Sequence, residues 1–174
     1  PHLEIFNQKD IEVLLLSDRV DEWMVSNFGE FDGIPLKSIA KGDLEDLDSK
    51  EEKAKKEKTA KDFDKVVEKM GKILEDQVKE VKISNRLSES PSCLVADENE
   101  MGGNMERIMK SLGQDVPDTK PILEINPKHP LVKKLKTKIS QDVVKVLFDQ
   151  AVLSEGGQLK EPAEFVKRMN KLIK

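Results

Sequence analysis

Between Ser140 and Ser154 the chain carries Val143, Val144, Val146, Leu147, Phe148, Ala151, Val152 and Leu153, and no other segment constrains the fold as strongly. At about 100° per residue these side chains cover most of a helix circumference. Only a wedge holding Asp142, Lys145 and Asp149 is polar. A helix this apolar has to be covered on more than one side. The final helix, 162–174, is narrower: Phe165, Val166, Met169, Leu172 and Ile173 fall within about 120° and can cover one side of its neighbour. The remaining cover comes either from a sheet elsewhere in the chain or from a second copy, the two-fold dimer being the commonest soluble oligomer. The pattern favours the second copy. The expected interface is Val144, Leu147, Phe148, Ala151, Phe165, Val166, Met169, Leu172 and Ile173.

The preceding chain reads as small elements joined by polar stretches. Ile11–Leu16 is an almost continuous apolar run, as in a strand covered on both faces. Ser17 or Asp18 can cap a helix carrying Val20, Trp23, Met24 and Phe28, with Gly29 as its stop. Phe31 to Pro35 then turns the chain into a short strand at 36–39. Residues 1–42 thus resemble one layer of a partial α/β subdomain, and Pro1 to Gln8 reads as an element already under way, as in a fragment. Residues 43–62 are expected as a charged linker grading into a helix. The unit 63–174 begins with a stripe of Val66, Val67, Met70, Ile73 and Leu74. Strands follow around Val81–Ile83, Cys93–Ala96 and Pro121–Ile125, with a helix over 98–112 between the last two and helices over 130–138, 140–154 and 162–174 after them. The expected class is α+β: a small three-stranded sheet with packed helices and a helical carboxyl end.

Catalytic and metal constellations do not emerge. His2 and His129 are the only histidines and lack zinc-ligand spacing. Gly102-Gly103 and Gly156-Gly157 match neither a P-loop nor a dinucleotide fingerprint. The 30 basic and 34 acidic residues are interleaved, so no basic face is offered to nucleic acid. A single cysteine, Cys93, excludes an internal disulfide and reads as a buried thiol. No apolar run reaches the length of a membrane span, and the expected setting is reducing and cytoplasmic. What stands out is a methionine-heavy stripe of Met101, Met105, Ile108, Met109 and Leu112, which suits either a core or an adaptable binding surface.

Four blocks in order resemble the heat-shock protein 90 family. They are Ile11 to Asp18 with Asp21-Glu22-Trp23-Met24, Arg86-Leu87-Ser88-Glu89-Ser90-Pro91, Asn126 to Val132, and Leu147 to Gly157 continuing through Glu161 to Leu172. No acidic Met-Glu-Glu-Val-Asp tail closes the chain, so the resemblance is to the bacterial type. It implies the end of a middle domain followed by a C-terminal dimerisation domain of an ATP-dependent, stress-response chaperone. Partners would be a second copy, unfolded clients and co-chaperones. ATP and magnesium would belong to the longer protein, with no cofactor or catalytic residue here. The resemblance also implies client contacts at Trp23, Met101, Met105, Ile108 and Met109.

Overall fold

A computed structural model describes residues 1–44, 47–98, 100–117 and 119–173. Glu45 and Asp46 of the expected linker, Asn99 at the start of the expected Met helix, and Lys174 lie outside the described residues.

Two short helices, α1 (Glu4–Gln8) and α2 (Arg19–Asn27), precede a hairpin of β1 (Glu30–Phe31) and β2 (Ile34–Pro35). The hairpin closes through Asp32 and Gly33, both at positive φ (49° and 77°), the turn geometry whose twist suits a two-residue hairpin. The expected strand at 36–39 is therefore replaced by this earlier pair. Ile11–Leu16 does not form the expected strand either. A strand needs a neighbour for its N–H and C=O groups, and among the described residues this run pairs with none. Its Leu14, Leu15 and Leu16 are exposed.

The charged stretch becomes helix sooner than expected, since α3 runs over Lys50–Ile73. Ser49 starts it with a capping box: Glu52 N–H donates to Ser49 Oγ at 3.3 Å, and Ser49 N–H donates to Glu52 Oε2 at 2.8 Å. Those bonds from Ser49, with Lys9 nearby, bring the Glu52 carboxyl down to about 2. The polar first half of α3 stays in solvent, whereas Phe63, Val66, Met70 and Leu74 recur every three or four residues and enter the core.

Three strands form the sheet in the order β3 (Glu80–Ile83), β5 (Ile122–Ile125), β4 (Ser92–Val95). β5 runs parallel to β3 and antiparallel to β4. Helix α4 (Gly103–Ser111) lies between β4 and β5 in sequence, and α5 (Pro130–Thr137), α6 (Gln141–Ser154) and α7 (Pro162–Leu172) complete the chain. His129 proves to be a cap, its Nδ1 accepting the Leu131 N–H at 3.2 Å with Pro130 at the first helical position.

Alternation along the strands separates two faces. Val81, Leu123 and Ile125 face α3, α5 and α6 and make the main core with Val132, Leu135, Val144, Leu147 and Ala151. The opposite face has a small cluster of Leu87, Cys93, Val95 and Ile122, beside the buried carboxylate of Glu124. The structure is thus α+β, as expected. Among the described residues no helix is long and apolar enough to cross a membrane.

Candidate interaction surfaces

Helix α6 packs along β4, with Ser92 Oγ donating to the Leu147 carbonyl at 2.7 Å across the contact. That placement corrects part of the expected interface. Val144 and Leu147 have no exposed surface and Ala151 almost none, because the sheet and α3 supply the cover assigned above to a second copy. Phe148 is half-buried against the same core. A sequence pattern counts apolar positions around a helix but does not say which neighbour covers them.

A glycine turn reverses the chain after α6. Gly156 adopts φ +70° and donates to the Leu153 carbonyl at 3.0 Å, while Gly157 donates to the Val152 carbonyl at 2.9 Å. This pairing is a Schellman cap, which needs a left-handed residue at Gly156. The reversed chain lays α7 on α6, fixed by Arg168 Nη1 donating to Asp149 Oδ2 (3.2 Å) and Lys171 Nζ to Asp142 Oδ2 (3.1 Å). Burial pushes the Asp149 carboxyl above its ordinary value, and the charge and hydrogen bond of Arg168 offset this only in part.

Those ion pairs take up one side of α7 and leave its apolar stripe only half covered. Phe165 and Met169 are half-buried, Leu172 is at the margin, and Val166 and Ile173 are 55% and 76% exposed. Leu153 on α6 is exposed beside the same turn. No residue of α7 is fully buried.

The methionine helix is divided. Met105 is 8% exposed, which places it among the buried residues and corrects its expected surface role. Ile108 and Met109 are half-buried, and Met101 and Leu112 are exposed. Gly102 caps α4 without a side-chain bond, and Gly113, at φ +75°, closes it in a second Schellman pairing, its N–H donating to the Lys110 carbonyl and that of Gln114 to the Met109 carbonyl. A cleft of about 730 Å³ separates α4 from α6 and the following turn, lined by Leu94, Met101, Arg107, Phe148, Val152 and Leu159 among others.

Trp23 sits on α2, whose N-terminus is held by Asp18 N–H donating to Asp21 Oδ2 at 2.9 Å. It is exposed together with Val20, Met24 and Phe28, as are Phe31 and Ile34 of the hairpin. His2, which the sequence left without an acidic partner, meets Glu155 at 2.8 Å, tying the beginning of the chain to the end of α6. A separation of 153 residues leaves no local signal for such a pair.

The fold and these surfaces define an α+β unit with apolar helix edges exposed on α2, α4 and α7. The chain belongs to the Hsp90 protein family, whose model matches residues 1–174, and to its bacterial HtpG type. It is 83% identical over 173 residues to the chaperone protein HtpG of Ruthia magnifica, covering 99% of this chain and 28% of that protein. The corresponding protein of Vesicomyosocius okutanii is 84% identical over 173 residues, with the same coverage. That of Nitrosomonas europaea is 55% identical over 177 residues, covering 99% of this chain and 28% of that protein. The chain thus spans 28% of the length of these curated relatives.

Proposed function

We propose that this chain is the self-association unit of an HtpG-type chaperone, joining two copies through α7 and the end of α6. The supporting observation is the uncovered edge of α7: Val166 and Ile173 stand in solvent on a helix that contributes nothing fully buried to its own chain. Leu153, Leu172, Phe165 and Met169 would complete the contact, in place of Val144, Leu147 and Ala151. Two-fold pairing would bring Val166 and Ile173 of each copy against the partner's stripe. Association at this end holds whatever else the longer protein carries at high effective concentration, and there the ATP and magnesium chemistry of the family would reside.

A Val166→Asp, Ile173→Asp chain tests this reading. Sedimentation equilibrium should report a dimer for the parent and a monomer for the variant, with helix content unchanged. A dimeric variant, or a parent that stays monomeric at high concentration, refutes it.

The same unit would offer apolar side chains to unfolded clients through Trp23, Met101, Ile108 and Met109, thioethers being adaptable on irregular surfaces. Burial of Met105 favours a narrower second reading, in which α4 is chiefly structural. Mild peroxide distinguishes them. Client contact predicts that oxidising Met101 and Met109 weakens holding of an unfolded protein at unchanged melting temperature. The structural reading predicts that holding is unaffected.

A further inference from the structure

The face of the sheet away from the helices carries a polar assembly that the association surface does not use. Arg86, 1% exposed, meets Glu124 of β5 through two parallel bonds, Nε to Oε2 at 3.0 Å and Nη2 to Oε1 at 3.1 Å. Its remaining bonds leave the sheet unit: Nη1 donates to the carbonyl of Ile39 and Nη2 to that of Gly42. Four of the five guanidinium N–H groups are thereby engaged, two on each side of a junction. Ser84 Oγ donates to Glu124 Oε2 at 2.7 Å and accepts the N–H of Arg86 and of Leu87, both at 3.1 Å, so the turn holding Arg86 is built around the same carboxylate.

Other ties flank the junction, Lys82 Nζ standing 3.9 Å from Asp43 Oδ2 and His2 meeting Glu155. Residues 39–42 form no strand. Their backbone reaches the sheet at Ala96, where Gly42 N–H donates to the Ala96 carbonyl and Ala96 N–H to that of Ala40. The same turn receives α1, with Ile5 N–H donating to the Arg86 carbonyl at 3.2 Å and the Glu4 carboxylate accepting the N–H groups of Ser88, Glu89 and Ser90. Among the described residues the buried apolar cluster on this face consists of Leu87, Cys93, Val95 and Ile122.

A buried ion pair is no better for stability than well-packed apolar side chains of similar volume. Directional bonds that all converge on one guanidinium, however, form and break together. We infer that the Arg86–Glu124 pair is a clasp that fixes residues 39–42 to the sheet unit, and that its loss frees them and loosens the chain leading into them while the sheet stays folded.

The test uses the full chain with spin labels on Asn27→Cys and Lys133→Cys, positions exposed on either side of the junction. Two variants separate the roles. Arg86→Lys keeps a cation opposite Glu124 but loses the fork that spans both carbonyls. Arg86→Met with Glu124→Leu replaces the pair by apolar side chains. Each should broaden the distance distribution between labels and speed amide exchange at Gly42 and Ala96 at least tenfold, with Leu123 and Ile125 exchanging as in the parent. A folded variant with the parent's distance distribution overturns the inference. So does equal acceleration at Leu123 and Ile125, which makes the pair a support of the sheet alone. Should the double variant not fold, the lysine variant decides by the same readings.

Discussion

Leu147 and Ile173 look alike in the sequence, both large aliphatic residues on apolar stripes near the carboxyl end, and the structure gives them opposite surroundings. Leu147, on α6, has no exposed surface and belongs to a core shared with α3, α5 and the sheet. Truncating it to alanine removes buried methyl groups and leaves a cavity, at about 2–5 kcal/mol. For a chain of this size each kcal/mol moves the melting temperature by about 2–4 °C, so a loss near 3 kcal/mol lowers it by about 6–12 °C. Ile173 is 76% exposed, and truncating it changes the stability of a single chain by no more than about 0.5 kcal/mol. If α7 seals a two-fold contact, the lost burial of about 2 kcal/mol enters twice, weakening the dimer by about 4 kcal/mol, roughly a thousandfold in its dissociation constant. Calorimetry at a concentration that keeps both variants dimeric reads the first effect, and sedimentation equilibrium across a dilution series reads the second. The reasoning is refuted if Ile173→Ala leaves the dimer constant within threefold of the parent. It is equally refuted if Leu147→Ala dissociates the chain without lowering its melting temperature.

Other outcomes follow from single sites. Burial raises the Glu4 carboxyl, but the hydrogen bond of the Ser90 side chain and the N–H groups of Glu89, Ser88 and Ser90 outweigh it and leave it below its ordinary value. A carboxylate so depressed stabilises the fold above its unfolded pKa and stops doing so as pH falls through the folded one. Glu4→Gln should therefore melt below the parent at pH 7, with the two converging below about pH 4. Gly71→Ala, inside α3 with nothing within 4 Å of the added methyl, should stabilise by about 1 kcal/mol in denaturant titrations. Gly157→Ala should destabilise by about 1–3 kcal/mol, since its Cβ would stand 2.8 Å from Val152 Cγ1 and 2.9 Å from the Val152 carbonyl oxygen. Burial pushes the Cys93 thiol well up, so a disulfide reagent should react with it no faster than the chain unfolds, whereas rapid labelling in native buffer would contradict its placement in β4.

Elements whose signal is local were legible before any coordinates. The stripe Val66, Met70, Leu74 announced α3, and the strands around Val81, Cys93 and Leu123 and the three closing helices fell where their periods put them. What escaped depends on partners distant in sequence. The apolar girdle of α6 is complete whether a sheet or a second copy covers it, so its pattern does not reveal that Val144 and Leu147 face inward. Ile11–Leu16 has the composition of a buried strand but no ladder among the described residues. Phe31 to Pro35 reads as a turn into a strand at 36–39, whereas Asp32-Gly33 closes a hairpin whose strands are the residues on either side of it. The Arg86–Glu124 clasp spans 38 residues of sequence and has no periodic trace.

The strand order β3-β5-β4 also dictates when a sheet can exist. Both pairings are made by β5, the last of the three to be synthesised, and β3 and β4 do not bond to each other. Until Ile125 has left the ribosome, the nascent chain therefore has two unpaired strand segments and a half-apolar α3 with no surface to lie on. Closure has to wait for a partner nearly forty residues beyond β3, a long-range step that is intrinsically slow. During that interval the growing chain exposes the strand edges and greasy faces that invite aggregation, so this segment is itself a nascent chain in need of shelter.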